Sequence, residues 1–183
     1  LIDEKQNYSG VVYILEALSI KRGLLLFQQI QDLGVPTILV LNQIDQAEKR
    51  GIKIDIEKLS SALNAKIITT NAKAKEGIDE IRDAVFENQF VQKSSPSFEI
   101  PLEQKEIVHK LSDQTEEKNP YKIWTLLASN SYLGKIESIN DQLNENDINC
   151  LVPKRLQTQE TIRRYQNIDK ILPEVLSKTP QFK

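Results

Sequence analysis

Methionine is absent from this sequence, and cysteine, histidine and tryptophan occur once each. The single thiol, Cys150, has no internal partner for a disulfide and reads as a buried or incidental side chain. The single imidazole, His109, sits in Ile107-Val108-His109-Lys110-Leu111, where helix packing or a surface position accounts for it. These two residues leave too few ligands for a zinc site and little material for Cys/His catalysis. An excess of one charge is lacking too. Lys and Arg number 24 against 26 Asp and Glu, a net charge of −2, which gives no electrostatic case for nucleic acid. No apolar run approaches the roughly 20 residues that cross a bilayer. The longest, around Gly23–Phe27, is broken by Lys21, Arg22, Gln28 and Gln29, and no secretory signal pattern is present. With Leu1 first and no methionine anywhere, the chain is expected to be part of a longer product.

What is there is globular. Apolar residues make up 39% and charged residues 27% of 183, enough for one ordinary domain or two small ones. The first ninety or so positions alternate strand and helix. Val11–Leu15 is a continuous apolar, β-branched run, the pattern of a strand buried on both faces, and Thr37–Leu41 reads as a second buried strand. Between them Ile20, Leu24, Phe27 and Ile30 recur at helical spacing, and Gly34 supplies the stop. A short helical stretch over 46–50 ends at Gly51. Asp55 caps a helix bearing Ile56, Leu59 and Leu63, and Lys66–Thr70 is a third, shorter strand. A last helix after Gly77 is expected to place Ile78, Ile81, Val85 and Phe86 on one face. This order predicts a parallel sheet with right-handed crossovers. The polar, Pro-containing stretch 93–97 reads as a linker between a domain over 1–92 and a helical domain over 98–183. Beyond the linker only helices are expected. Pro101 leads into the first, Asn119-Pro120 caps the second, and the last carries Ile162, Tyr165, Ile168 and Leu172 before Pro173 kinks or restarts it. The Asn-rich stretch 140–149 reads as a loop or frayed helix.

The chemistry sits in two loops. Asn42-Gln43-Ile44-Asp45 directly follows the second buried strand. Ligands of open α/β sheets lie at the carboxyl ends of the strands, where these side chains emerge. A carboxylate at position 45 can accept hydrogen bonds from the ring N–H and exocyclic amine of guanine. Adenine presents an unprotonated ring nitrogen there and is repelled. Sites built this way discriminate by roughly 10⁴ or more, because the wrong ligand leaves polar groups unpaired. Asn42 would brace the loop and reach the base edge. Taken alone this pattern is weak, since Asn and Asp cap helices routinely. The second loop, Asn71-Ala72-Lys73, follows the next strand and is similar to the Ser-Ala-Lys loop of GTPases, which turns a backbone N–H, here that of Ala72, toward the guanine carbonyl. A polar turn with solvated lysines is the alternative, but two such loops on consecutive strands reinforce each other.

The phosphate-handling motifs are missing from the sequence. There is no G-x-x-x-x-G-K-[ST], Gly134-Lys135 lacks its context, and none of the six glycines closes a D-x-x-G. Phosphoryl transfer depends on those parts, so this chain by itself is not expected to hydrolyse GTP.

These residues together resemble the ferrous iron transport protein B (FeoB) family. The similarity is carried by Val11–Leu24, by Asp32–Asp45 leading into the guanine loop, by Ala47–Ile52 and Ile54–Leu59, and by Glu160–Tyr165 near the end of the family's helical domain. The resemblance implies an α/β, parallel-sheet P-loop GTPase-like domain, present as its C-terminal half, followed by a small all-α domain. It implies GTP or GDP bound through Asn42, Gln43, Asp45, Asn71, Ala72 and Lys73. It further implies GTPase activity in the intact domain, with Mg2+ and K+ held by phosphate-loop residues outside this chain. It implies attachment to an iron(II)-transporting membrane domain at the cytoplasmic face of the cell membrane, with the helical part acting as a nucleotide-dissociation-inhibiting element. Gln43 stands where most GTPases carry Lys, Asn71 where they carry Ser, and Glu16 and Ser19 where Asp and Asn are expected. Two other readings remain open. One is a nucleotide-free scaffold or protein-interaction module derived from a GTPase. The other is a GTPase with a non-transport partner such as the ribosome or tRNA.

Overall fold

The computed structural model describes residues 8–114, 116–129 and 151–178. Its contacts divide the chain into two compact units. One comprises residues 1–95 and 165–183, the other residues 96–164.

The first unit is built on a three-stranded parallel sheet of β1 (Val11–Glu16), β2 (Thr37–Asn42) and β4 (Lys66–Thr70), in the order β1-β2-β4. β2 is the middle strand and is buried from Thr37 to Leu41, which is why its apolar run is unbroken. Because successive strand side chains alternate, Leu39 and Leu41 face one apolar layer and Ile38 and Val40 the other. The first layer is completed by Leu24 and Phe27 of α1 (Ile20–Asp32), by Leu59 and Leu63 of α3 (Ile56–Leu63), and by Leu15 and Ile67. The second gathers Ile38, Val40 and Ile68 around Ala84 of α4 (Ile78–Phe86), with Ile81 and Phe90 packed on it. The expected apolar face of α4 is corrected here. Ile81 and Ala84, three apart, are the pair that meets the sheet, while Ile78 and Val85 are exposed and Phe86 is 82% exposed. A small residue at 84 lets the helix approach β2 and β4 more closely than Val85 or Phe86 would allow.

Two short strands were not anticipated. β3 (Ile52–Ile54), after α2 (Ile44–Lys49), pairs antiparallel with β5 (Leu176–Lys178) at the far end of the described chain. The Asp55 N–H also donates to Val175 O at 2.8 Å. The long helix α7 (Pro153–Val175) runs through Pro173, whose missing N–H falls in the last turn, and then gives way to β5. Its Ile168, Leu172 and Val175 enter the first layer of the sheet unit. Residues from Tyr165 onward therefore group with the sheet, whereas the sequence had assigned everything from 98 to 183 to a helical domain.

The second unit contains α5 (Leu102–Gln114), α6 (Pro120–Leu127) and the start of α7. Asn119 caps α6, its side chain accepting from the N–H groups of Tyr121 and Lys122 at 2.9 and 3.1 Å. The core is aromatic: Phe98 lies 4.7 Å from Trp124 and 6.0 Å from Tyr121, centroid to centroid. The buried Arg164 places its guanidinium over both Phe98 and Tyr121, at 5.5 and 4.9 Å. Glu160 Oε1 accepts from Arg164 Nε at 2.8 Å and from the Tyr121 hydroxyl at 2.5 Å. Burial pushes the Tyr121 hydroxyl pKa far up, so it stays a donor. The expected loop at 140–149, Gly134-Lys135 and Cys150 lie outside the described residues, and His109 is an exposed side chain 3.3 Å from Asp113.

Candidate functional site

The register of the sheet brings the carboxyl ends of its strands level: Glu16 stands opposite Asn42, and Asn42 opposite Thr70. The loops that leave β2 and β4 therefore start side by side. They are tied together by one side chain. Asn42 Oδ1 accepts from Thr70 Oγ1 and from the backbone N–H of Ala72, both at 3.2 Å. The bracing role assigned to Asn42 thus has a specific partner in the neighbouring loop. The N–H of Ala72, which sequence reasoning aimed at a base carbonyl, is used in this contact instead.

After Asn42 the chain turns sharply. Gln43 adopts a left-handed conformation, φ 60° and ψ 38°, at a cost of about 1 kcal/mol or more for a non-glycine residue. That turn starts α2 at once and puts Asp45 in its first turn. Asp45 Oδ2 accepts from Lys49 Nζ, one helical turn on, at 3.1 Å and from Gln46 Nε2 at 3.0 Å. The hydrogen bond from Lys49 holds the Asp45 carboxyl below the usual carboxylate range, so it is ionised at neutral pH.

The β4 loop is shaped by its own hydrogen bonds. Asn71 forms a two-way backbone bridge with Glu76, and its side chain accepts from the Ala74 N–H at 3.4 Å. Gly77, at φ 75°, ends the loop. A Cβ there would lie only 2.3 Å from Thr69 O, so no other residue fits without displacement.

Between these loops is an open depression of about 560 Å³. Of the residues singled out in the sequence, Gln43, Asp45, Asn71 and Lys73 line it, whereas Asn42 and Ala72 are joined to each other and do not. The remaining wall includes Leu18, Gln46, Lys49 and Arg50, which sequence reasoning did not select. The available signal was the i,i+4 spacing of Asp45 and Lys49 on a helix. Asp45 is the lone carboxylate in this wall, beside Lys49, Arg50 and Lys73, so the donor set does not fit Mg2+ or K+. Among the described residues no cluster of three or more His, Cys, Asp or Glu could hold a metal, and no helix is long and apolar enough to cross a membrane. The wall presents one carboxylate acceptor beside amide, ammonium and guanidinium groups.

Residues 1–85 match the family model described as ferrous iron transport protein B. A Fe(2+) transporter FeoB of Leptospira biflexa is 40% identical over 93 residues, covering 51% of this chain and 13% of that protein. The chain spans only 10% to 16% of the length of such curated relatives. Among solved structures, the cytosolic domain of L. pneumophila FeoB superimposes with a TM-score of 0.75 at 27% identity, over 95% of this chain and 70% of that one. The T. maritima FeoB cytosolic domain in its GMPPNP form shares the fold, with a TM-score of 0.72 at 19% identity over 91% of this chain and 68% of that one. The chain therefore has the parallel-sheet α/β, P-loop GTPase-like fold of FeoB cytosolic domains, and the sequence match to the family model is confined to residues 1–85.

Proposed function

We propose that this chain is the guanine-recognising portion of the cytosolic nucleotide-binding module of a FeoB-type ferrous iron transporter, carrying a helical regulatory domain. The observation that carries the reading is the contact of Asn42 Oδ1 with the Ala72 N–H, which couples the two loops beside a depression walled by Asp45. In this reading Asp45 accepts from the ring N–H and amine of guanine, and Gln43 and Lys73 flank the base through their stems. Asn71 sets the loop that offers the Ala72 N–H to the base carbonyl once Asn42 releases it. GTP or GDP is the ligand. Mg2+ and K+ belong to phosphate-binding residues that these loops do not supply, and the chain by itself does not hydrolyse GTP. The module works at the cytoplasmic face of the cell membrane, with an iron(II)-transporting membrane domain as its partner. The functional division proposed runs 1–92, a linker at 93–97, and 98–183, with the α7 residues from Tyr165 onward packed into the sheet unit.

The test is Asp45→Asn. It replaces an acceptor by a donor, so preference shifts from guanine toward xanthine nucleotides, whose exocyclic carbonyl stands in place of the amine. Binding is followed by NMR titration with GDP and XDP at millimolar concentration, since phosphate contacts contribute little to this chain. Unchanged GDP affinity in the variant would reduce Asp45 to a helix-terminal carboxylate and defeat the reading.

A further inference from the structure

One oxygen of Asp45, Oδ2, receives both of that carboxylate's side-chain donors, Lys49 Nζ at 3.1 Å and Gln46 Nε2 at 3.0 Å. A carboxylate oxygen has two lone pairs, so two hydrogen bonds use its ordinary acceptor capacity. Oδ1 receives neither of them. Lys49 and Gln46 both line the depression, so the contact sits inside the candidate site and not on a remote face of α2. Guanine has two donors on the edge that meets this carboxylate and needs both oxygens. Hypoxanthine has the ring N–H without the amine and needs one.

We infer that Lys49 and Gln46 act as an internal competitor for the base-reading carboxylate, setting both the affinity for guanine nucleotides and the margin by which the exocyclic amine is read. This rests on the assignment of Asp45 as base reader. Lys49 is a positioning residue here: it acts through Asp45 and not by touching the ligand. The Lys49 side chain is 68% exposed, so the pair is of the weak, salt-screened kind that a ligand can displace.

The experiment compares GDP with IDP, whose phosphates are identical, so phosphate contributions cancel in the ratio. NMR titrations are run on the whole chain and on Lys49→Ala, Gln46→Ala and Asp45→Asn. Lys49→Ala is expected to raise GDP affinity by roughly two- to fivefold, the scale of an exposed i,i+4 pair. The gain for IDP is smaller, so the GDP-to-IDP ratio widens. Gln46→Ala moves the ratio the same way without removing a charge, which guards against a general electrostatic effect or damage to α2. Added salt widens the ratio in the parent chain and not in Lys49→Ala. An equal loss of GDP and IDP affinity in Lys49→Ala would place the ammonium against the phosphates and overturn the inference. An unchanged ratio in both Lys49→Ala and Gln46→Ala would overturn it as well. If Asp45→Asn itself leaves GDP affinity and the ratio untouched, the base-reading assignment fails, an outcome distinct from the other two.

Discussion

Asn42 Oδ1 accepts the backbone N–H of Ala72 across a sequence separation of 30 residues, and the same oxygen accepts Thr70 Oγ1. One amide therefore fixes the spacing of two loops that the sheet merely places side by side. Asn42→Ala removes both bonds. At about 1 kcal/mol for each such bond, the expected loss is about 1–2 kcal/mol in a urea titration. The Ala72 amide should also exchange faster with solvent than in the parent chain. Unaltered exchange at Ala72 would show that the loop holds its shape without Asn42.

Gly77 tests the other end of the β4 loop. Its φ of 75° and the 2.3 Å approach of a Cβ to Thr69 O leave no room for a side chain. Gly77→Ala is expected to cost about 1–3 kcal/mol, with chemical-shift changes concentrated between Asn71 and Gly77. Gly23 marks a second close approach. It lies within α1, where an added Cβ would meet Leu15 Cδ2 at 2.9 Å and Leu15 Cβ at 3.0 Å, so α1 and β1 must shift apart, while alanine favours the helix by about 1 kcal/mol. Gly23→Ala, with no strained φ to add, should therefore cost less than Gly77→Ala in the same thermal or urea measurement.

The parts of this molecule legible in the sequence are those where a local rule and the tertiary environment agree. Ile38–Leu41 is apolar without a break because β2 is covered on both faces, and Asn119-Pro120 caps α6 through the hydrogen bonds its residue types suggest. Asp45 and Asn71 were picked out because strand ends in such sheets carry the chemistry, and they do line one depression. What stayed hidden depends on partners distant in the chain. Ile52–Ile54 and Leu176–Lys178 are too short to show a period, and each becomes a strand only through the other. Ala84 replaces Phe86 at the sheet because packing distance, not hydrophobicity, decides which side of α4 turns inward. The engagement of Ala72 with Asn42 follows from register, which no single segment encodes.

Asp55 caps α3, its carboxylate accepting the Lys58 N–H at 3.0 Å with Lys58 Nζ 3.3 Å away. That backbone hydrogen bond holds its pKa below the ordinary value. A depressed folded-state pKa means stability that is present above the unfolded value of about 3.9 and lost as pH falls through the folded one. Asp55→Ala should lower the thermal midpoint at pH 7, and the gap to the parent chain should close on acidification below that range. Asp55→Asn keeps an acceptor without the charge, so it should retain part of the cap and show a flatter pH profile. A gap between Asp55→Ala and the parent that persists undiminished in acid would show that the charged cap is not its source.

The division of α7 between two units gives the last prediction. Ile162 and Ile168 lie on the same helix, six residues apart. Ile162 is 52% exposed and falls in residues 96–164, whereas Ile168 is fully buried in the apolar layer beneath β2. Truncating a buried isoleucine to alanine removes transfer free energy and leaves a cavity, so Ile168→Ala should cost about 2–5 kcal/mol. Ile162→Ala at a half-exposed position should fall within about 0.5 kcal/mol of the parent. The decisive readout is where the damage appears. Hydrogen exchange in Ile168→Ala should accelerate in β2 and β4, 98 to 131 positions away in sequence, while the α6 amides keep their protection. If protection were instead lost in α5 and α6 alone, the C-terminal half of α7 would belong with the helical unit, as composition by itself suggests.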